Sequence, residues 1–242
     1  MKTTAMMLAG GALLAHSAAA LAQTVTTTDT TIQETTTRDT TTGRTIRGPR
    51  QALELGADLG YTQGFGSTHR GNPVSSLAGP GVSAGLDVGY RISPELSIGA
   101  TGRYQAFNTP EGMETGSRSS GVTAGIEATI HARPYSRVDP WLSLGTGYRM
   151  IWNSPESGDS TMTHGFELGR VELGLDLRPS SEVSVSPVIG ADLNLLPWQS
   201  APGSANASLP EKQLNTFIYA GVKGRFDIGG NRETAGERIG RR

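Results

Sequence analysis

Cysteine is absent from the 242-residue sequence, which excludes disulfide bonds and thiolate chemistry. The net charge is only -1, so no overall basic field indicates binding to nucleic acid. Hydrophobic residues make up 36% of the chain. Beyond the N-terminus, no apolar run reaches the roughly 18 residues that a transmembrane helix needs. What the sequence has instead is 33 glycines and long stretches in which apolar and polar residues alternate.

The N-terminal residues have the pattern of an export signal. Lys2 supplies a positive charge, an apolar segment follows, and residues 20–22 (ALA) fit the small-x-small cleavage rule. The sequence therefore predicts a signal peptide over residues 1–22, cleaved between Ala22 and Gln23, and export through a bacterial inner membrane. A membrane-anchoring helix is the alternative, which the short apolar segment and the polar tract after it disfavour.

The next segment is rich in threonine: residues 24–46 contain 13 threonines among 23 residues. Such a composition buries no core, and we predict a disordered periplasmic tether over residues 23–51. From residue 52 to residue 228 the sequence instead alternates between apolar and polar residues. Residues 229–242 form a short basic tail that we also place in the periplasm.

Eight segments with a period of two follow one another between residues 52 and 228, which predicts eight strands. They cover 52–63, 81–92, 96–107, 121–132, 140–152, 164–178, 183–195 and 215–228. The connections after the second, fourth and sixth strands are short, and those after the first, third, fifth and seventh are long. This alternation is typical of an antiparallel up-and-down transmembrane β-barrel in a bacterial outer membrane.

The two faces of each predicted strand differ sharply. In LELGADLGY (residues 53–61) the leucines occupy one face, and Glu54 and Asp58 occupy the other with glycine. The same separation recurs in the other strands. The acids on the charged face are Glu54, Asp58, Asp87, Glu127, Glu172, Asp176, Asp192 and Asp227. The bases are Arg91, Arg103, Arg133, Arg149, Arg170, Arg178, Lys223 and Arg225, with His131 among them.

Alternation alone leaves open which face meets the lipid. A secreted lipocalin-like barrel would put the apolar face inside and the charges in water. Three features favour the opposite orientation: glycine that makes room in a narrow interior, eight acids balanced by eight bases, and aromatic residues near both strand ends. The predicted interface aromatics are Tyr61, Tyr90, Tyr104, Tyr148, Trp152 and Phe226. We therefore predict a polar, charge-paired interior. Pro187, in the middle of the seventh strand, predicts a bulge or a break.

Residues 52–228 resemble the eight-stranded outer-membrane barrels of the OmpA and OmpX type found in Gram-negative bacteria. The resemblance rests on the strand pattern and on the last strand, YAGVKGRF (residues 219–226), which is similar to the assembly signal of that family. It implies insertion by the outer-membrane assembly machinery through strand 215–228. Phe226 is not terminal here, and the tail is too short for the peptidoglycan-binding domain of larger members.

The sequence predicts no enzyme, cofactor or metal site. Eight strands enclose an interior that side chains fill, so the charged residues are expected to form a structural ion-pair network. A narrow channel for ions or small solutes is the alternative. A lipid-modifying enzyme is a further alternative, because His164 lies near the outer rim with the acid Glu167 close by. We expect outer-membrane lipids and lipopolysaccharide as surroundings and the four long loops as the extracellular binding surface, with both termini in the periplasm; the sequence names no ligand for the loops.

Overall fold

Eight long strands make up most of the computed structural model, which describes residues 46–109, 116–203 and 206–235. They are β1 (Ala52–His69), β2 (Gly81–Ser93), β3 (Leu96–Phe107), β4 (Arg118–His131), β5 (Val138–Ser154), β6 (Thr161–Leu177), β7 (Val183–Ser200) and β8 (Leu214–Ile228). Each contains the strand predicted at that place or nearly all of it, and most extend further toward the long loops. Within the described ranges there is no helix long and apolar enough to cross a membrane.

The strands close into a barrel. Each strand pairs antiparallel with the next one along the chain. The last strand, β8, also pairs with β1, from Asn215 opposite Gly66 to Ile228 opposite Leu53. Closure gives every barrel strand two neighbours and so satisfies backbone groups that hydrocarbon could not. The predicted eight-stranded up-and-down barrel is confirmed.

The apolar face of the sheet points outward. Leu59, Leu86 and Ile126 are 70%, 69% and 66% exposed, whereas Arg149 and Asp192 are fully buried. A secreted carrier of the lipocalin kind would show the reverse arrangement. The exposed leucines, valines and isoleucines form a band around the barrel that suits lipid. The protein is a transmembrane β-barrel with a charge-paired interior, as the glycines, the charge balance and the aromatic residues predict.

Glycine makes room inside the barrel for aromatic rings. Trp141 lies directly opposite Gly174, and Tyr219 lies directly opposite Gly190. A Cβ atom on Gly174 would lie 2.2 Å from Trp141 Cζ2, and one on Gly190 would lie 2.3 Å from Tyr219 Cζ. These glycines are required because the rings lie flat against the barrel wall where a side chain would begin.

Of the bulge or break predicted at Pro187, the structure shows no bulge, but the strand pairing is interrupted there on one side. The register of β7 with β8 runs without a shift through the pair of Pro187 and Val222. Toward β6 the ladder skips two positions around Pro187 but resumes in the same register, because proline has no N–H to donate. The proline side chain is exposed on the lipid-facing surface. The register shifts of β6 lie elsewhere, at residues 164–169.

Candidate functional site: the charged interior and the two barrel ends

The interior side chains form three layers along the barrel axis. The lower layer lies nearest the short turns and consists of Glu54, Arg91, His131, Asp139, Asp176, Arg178, Arg225 and Asp227. The middle layer consists of Asp58, Asp87, Arg103, Glu172, Tyr219 and Lys223. The upper layer consists of Arg149, Glu167, Arg170 and Asp192, all buried, with half-buried Glu127 below them.

In the lower layer, two arginines connect carboxylates from different strands. Arg91 binds Glu54 through Nη2, and its Nε lies 3.3 Å from Asp227 Oδ1. Arg225 lies 3.2 Å from Asp176 Oδ1 and 3.8 Å from Glu54 Oε1. Most of these pairs join the neighbouring strands β8, β1 and β2, and the Arg225–Asp176 pair connects them to β6, which is not adjacent to β8.

His131 belongs to a group of three side chains whose type and spacing could hold a metal ion. Its Nδ1 lies 2.8 Å from Asp139 Oδ2 and 3.8 Å from Asp176 Oδ2. The three donor atoms lie within 4.8 Å of one another. The Arg178 guanidinium, however, lies 3.5 Å and 3.7 Å from the same two carboxylate oxygens. A protein cation thus already lies beside both carboxylates, and we assign no metal here.

The middle layer is built around Glu172. Lys223 Nζ lies 2.6 Å from Glu172 Oε1, and Arg103 donates to Oε2 at 3.1 Å. The Tyr219 hydroxyl donates to the same Oε2 at 2.8 Å. The Arg103 guanidinium also covers the Tyr219 ring, 4.0 Å from its centroid. Three donors on one buried carboxylate compensate its desolvation far better than a single ion pair would.

The upper layer joins two arginines to two acids. Arg149 binds Asp192, and Arg170 Nε lies 3.2 Å from Asp192 Oδ1 and 3.1 Å from Glu167 Oε1. Glu127 is more loosely paired, 4.0 Å from Arg170. Above this layer Arg149 stacks on the ring of Phe217 at 4.1 Å, so the ion pairs end against an aromatic wall.

An apolar cluster closes the long-loop end of the barrel. Phe107, Ile151, Leu196 and Phe217 project from four strands, and the loop after β1 folds inward to place Val74, Leu77 and Ala78 against them. All of these side chains are buried. The Ser119 hydroxyl donates to the carbonyl of Leu77 at 2.8 Å and fixes the loop in the mouth. We call this segment, residues 74–78, the loop plug.

The short-turn end is crossed by a small ribbon. Residues Gly48–Arg50 and Asn231–Glu233 pair antiparallel, and Arg50 forms an ion pair of 2.9 Å with Glu233. A Cβ atom on Gly48 would lie 2.8 Å from the Tyr135 ring and 2.9 Å from Pro94. The chain before β1 therefore touches two of the three short turns, and the Arg47 amide reaches Ser181 Oγ in the third at 3.1 Å.

The predicted interface aromatics lie on the outer surface. Tyr61, Tyr90, Tyr104 and Phe226 are about half exposed there, and Tyr148 and Trp152 are partly covered. Ala22 and Gln23, the predicted cleavage site, lie outside the described residues, as do most of the threonine-rich segment and the end of the basic tail.

His164 and Glu167 lie on opposite faces of the barrel wall. His164 is on the outer side, where its Nδ1 is hydrogen-bonded to the Tyr148 hydroxyl and its ring stacks on Trp198, with 5.7 Å between the ring centroids. Glu167 points inward and is paired with Arg170. The two side chains predicted to lie close together therefore form no acid–histidine pair.

The alternation does not predict two of the acids that lie inside the barrel, and one base that it places inside lies outside. Asp139 precedes the predicted fifth strand but is fully buried in the lower layer. Glu167 is carried inward by a register shift between Glu167 and Gly169. Arg133 is exposed in a short turn, because β4 ends at His131. The charge balance is consequently less even than the alternation predicts, since nine acids and seven lysines or arginines of the described barrel are buried.

No protein-family model matches the sequence. No curated protein matches it either. Among solved structures, the chain is similar to Neisserial surface protein A, at 13% identity over 72% of this chain and 96% of that one, with a TM-score of 0.49. It is also similar to the N-terminal β-barrel domain of Pseudomonas aeruginosa OprF, at 11% identity over 74% of this chain and 99% of that one, with a TM-score of 0.44. A third similar structure is that of Yersinia pestis Ail, the attachment invasion locus protein, at 11% identity over 73% of this chain and 99% of that one, with a TM-score of 0.44.

Proposed function

We propose that this protein is a small, non-enzymatic barrel of a bacterial outer membrane that stabilises the envelope or presents its long loops to the exterior. The observation that carries the proposal is the filled interior. Three layers of paired charges occupy the axis, and the loop plug covers them at one end. A barrel of eight strands has space for side chains and little else.

The long-loop end supports a role in presentation. The loops after β1 and β7 are joined by an isolated bridge between His69 and Lys212 and by the Arg70–Glu211 ion pair at 3.4 Å. Together they form one surface rather than two separate loops. We place this surface outside the cell, among lipopolysaccharide, and both chain ends in the periplasm. Protease added to intact cells should cut residues 201–213 and spare residues 46–50; the reverse pattern would contradict this orientation.

A narrow channel is the main rival. Planar-bilayer recordings of the purified, full-length protein test it directly. We expect no discrete conductance steps, because an ion would have to displace buried arginine–carboxylate pairs in every layer. Reproducible single-channel steps that scale with protein concentration would overturn the structural role and favour the channel.

Strand 215–228 remains our candidate for the contact with the assembly machinery.

A lipid-modifying enzyme is disfavoured by the surroundings of His164. Its ring is held by Tyr148 and Trp198, and the carboxylate expected beside it lies inside the barrel. Incubation with lipopolysaccharide should release no acyl chains above the level seen with His164→Ala. Release by the unaltered protein that this substitution abolishes would show that the protein is an enzyme.

A further inference from the structure

The charges that reach the surface of the described barrel differ between its two ends. At the short-turn end, besides Arg50, which is paired with Glu233, four arginines are not buried: Arg47, Arg133, Arg137 and Arg232. We call these four the arginine rim. The described acids that are not buried at this end are Glu95 and Glu182. At the long-loop end, exposed bases and acids are equal in number in the described ranges: Arg70, Arg118 and Lys212 against Glu156, Asp159 and Glu211.

The short-turn end is therefore the positive end of the barrel. The buried lower layer has four acids and three arginines, so it offsets only one unit of the excess. The tail that leaves the barrel at this end adds three arginines and one glutamate over residues 236–242. A partner that recognises this end by charge must carry negative charge.

The arginine rim follows the foot of the barrel rather than one cleft. The Arg137 carbonyl accepts from the amide of Arg178 at 2.9 Å, and the Arg47 amide donates to Ser181 Oγ at 3.1 Å. These two exposed arginines therefore meet the same short turn. On β8, the Arg232 guanidinium itself is held, since it donates to the carbonyls of residues 229 and 227 at 2.7 Å and 2.9 Å. These contacts use two of its five N–H donors.

The arginine rim lies at the depth of lipid headgroups. Arg137 directly precedes Val138, which is 46% exposed on the lipid face. Gly229, whose carbonyl holds the Arg232 guanidinium, directly follows Ile228, which is 41% exposed on the same face. Because a strand advances about 3.3 Å per residue, both places fall within the headgroup layer, about 5–8 Å thick outside the hydrocarbon. This depth favours a lipid headgroup over a cell-wall polymer.

We propose that the arginine rim binds the phosphate groups of anionic phospholipids and gathers phosphatidylglycerol around the short-turn end of the barrel. Guanidinium groups bind phosphate through charge-assisted, often bidentate hydrogen bonds, and each arginine beside a membrane adds to its attraction for anionic lipid. In phosphatidylcholine the trimethylammonium group offsets the phosphate charge, so the same arginines attract it less. The assignment to the inner leaflet rests on the proposed orientation, whereas the lipid preference does not.

Electron paramagnetic resonance of spin-labelled lipids tests the proposal on the full-length protein in phosphatidylcholine vesicles. We expect labelled phosphatidylglycerol to associate with the protein about two- to fivefold more strongly than phosphatidylcholine that carries the same acyl-chain label. In about 1 M salt, where charges are screened beyond about 3 Å, the two lipids should associate almost equally.

Two double variants, each lacking two exposed arginines, separate the arginine rim from the net charge of the protein. Arg47→Gln combined with Arg137→Gln should remove at least half of the preference. Arg70→Gln combined with Arg118→Gln, at the long-loop end, should retain it. Equal losses in the two double variants, no preference in the unaltered protein, or a preference that salt leaves unchanged would each overturn the proposal. Both leaflets of the vesicles have the same composition, so these outcomes do not depend on orientation, which the protease experiment on cells decides separately.

Discussion

At the residue scale, the interior depends on arginine and lysine that are completely out of water. Removing one partner of a buried ion pair leaves an uncompensated charge, whereas an exposed pair contributes little. The protein offers both situations in one chain. Arg149 is fully buried against Asp192, and Arg70 and Glu211 form a pair whose side chains are 79% and 61% exposed.

We expect Arg149→Met to lower the free energy of unfolding by about 3–5 kcal/mol, because Asp192 loses its nearest cation. Urea unfolding in lipid vesicles measures the change. Arg70→Met is the matched control and should alter stability by less than about 1 kcal/mol. Adding Asp192→Leu to Arg149→Met should restore part of the loss. If Arg149→Met and Arg70→Met were equally stable, the network would not be structural.

Glycine positions opposite aromatic rings give a second prediction at this scale. Gly190→Ala would put a methyl group 2.3 Å from Tyr219 Cζ, so the ring must move away from Glu172. We expect a loss of about 1–3 kcal/mol in the same unfolding assay. Gly224 has no atom within 4 Å of its added Cβ, and Gly224→Ala should be close to neutral. Similar effects of the two substitutions would contradict this account of glycine.

At the scale of the element, strand alternation predicts most of the barrel but not its irregularities. A period of two assigns a face to each residue only while the register is unbroken. The shift between Glu167 and Gly169 in β6 reverses the assignment, and the local sequence ELG carries no turn signal that would reveal it. Alternation does not identify Asp139 for a simpler reason, because this residue precedes the predicted start of its strand at residue 140. Placement of Trp141 inside the barrel follows from parity, but its stacking on Arg225 at 3.9 Å depends on partners from distant strands.

The loop plug is the element that alternation does not predict at all. Its three buried side chains, Val74, Leu77 and Ala78, lie in a connection rich in glycine, serine and proline. We expect Val74→Asp to release the loop, because a carboxylate cannot remain among Phe107 and Phe217 without a partner. Amide exchange of residues 74–78 should then accelerate at least tenfold. Val74→Ala should keep most of the protection, and unchanged exchange in Val74→Asp would mean that the loop is not held by this contact.

At the scale of the whole molecule, the orientation of the faces makes a prediction that depends on depth. A positive charge on the lipid face costs about 2–4 kcal/mol at the middle of the bilayer and at most about 1 kcal/mol near its edges. Leu86 is 69% exposed near the middle of β2, and Leu53 is 41% exposed near the short-turn end. Leu86→Arg should therefore destabilise the protein in vesicles by about 2–4 kcal/mol and Leu53→Arg by much less. Equal small effects would indicate that this surface faces water.

The ribbon under the barrel brings the two flanks of the chain side by side, with Gly48 in register with Glu233. The backbone could therefore be covalently joined between these two flanks without a linker that crosses the barrel. New ends could then be opened in the long connection after β5, at residues 155–160, where insertions are best tolerated. Such a circular permutant would keep all eight strand pairings while reversing the side of the membrane on which the polypeptide starts and stops.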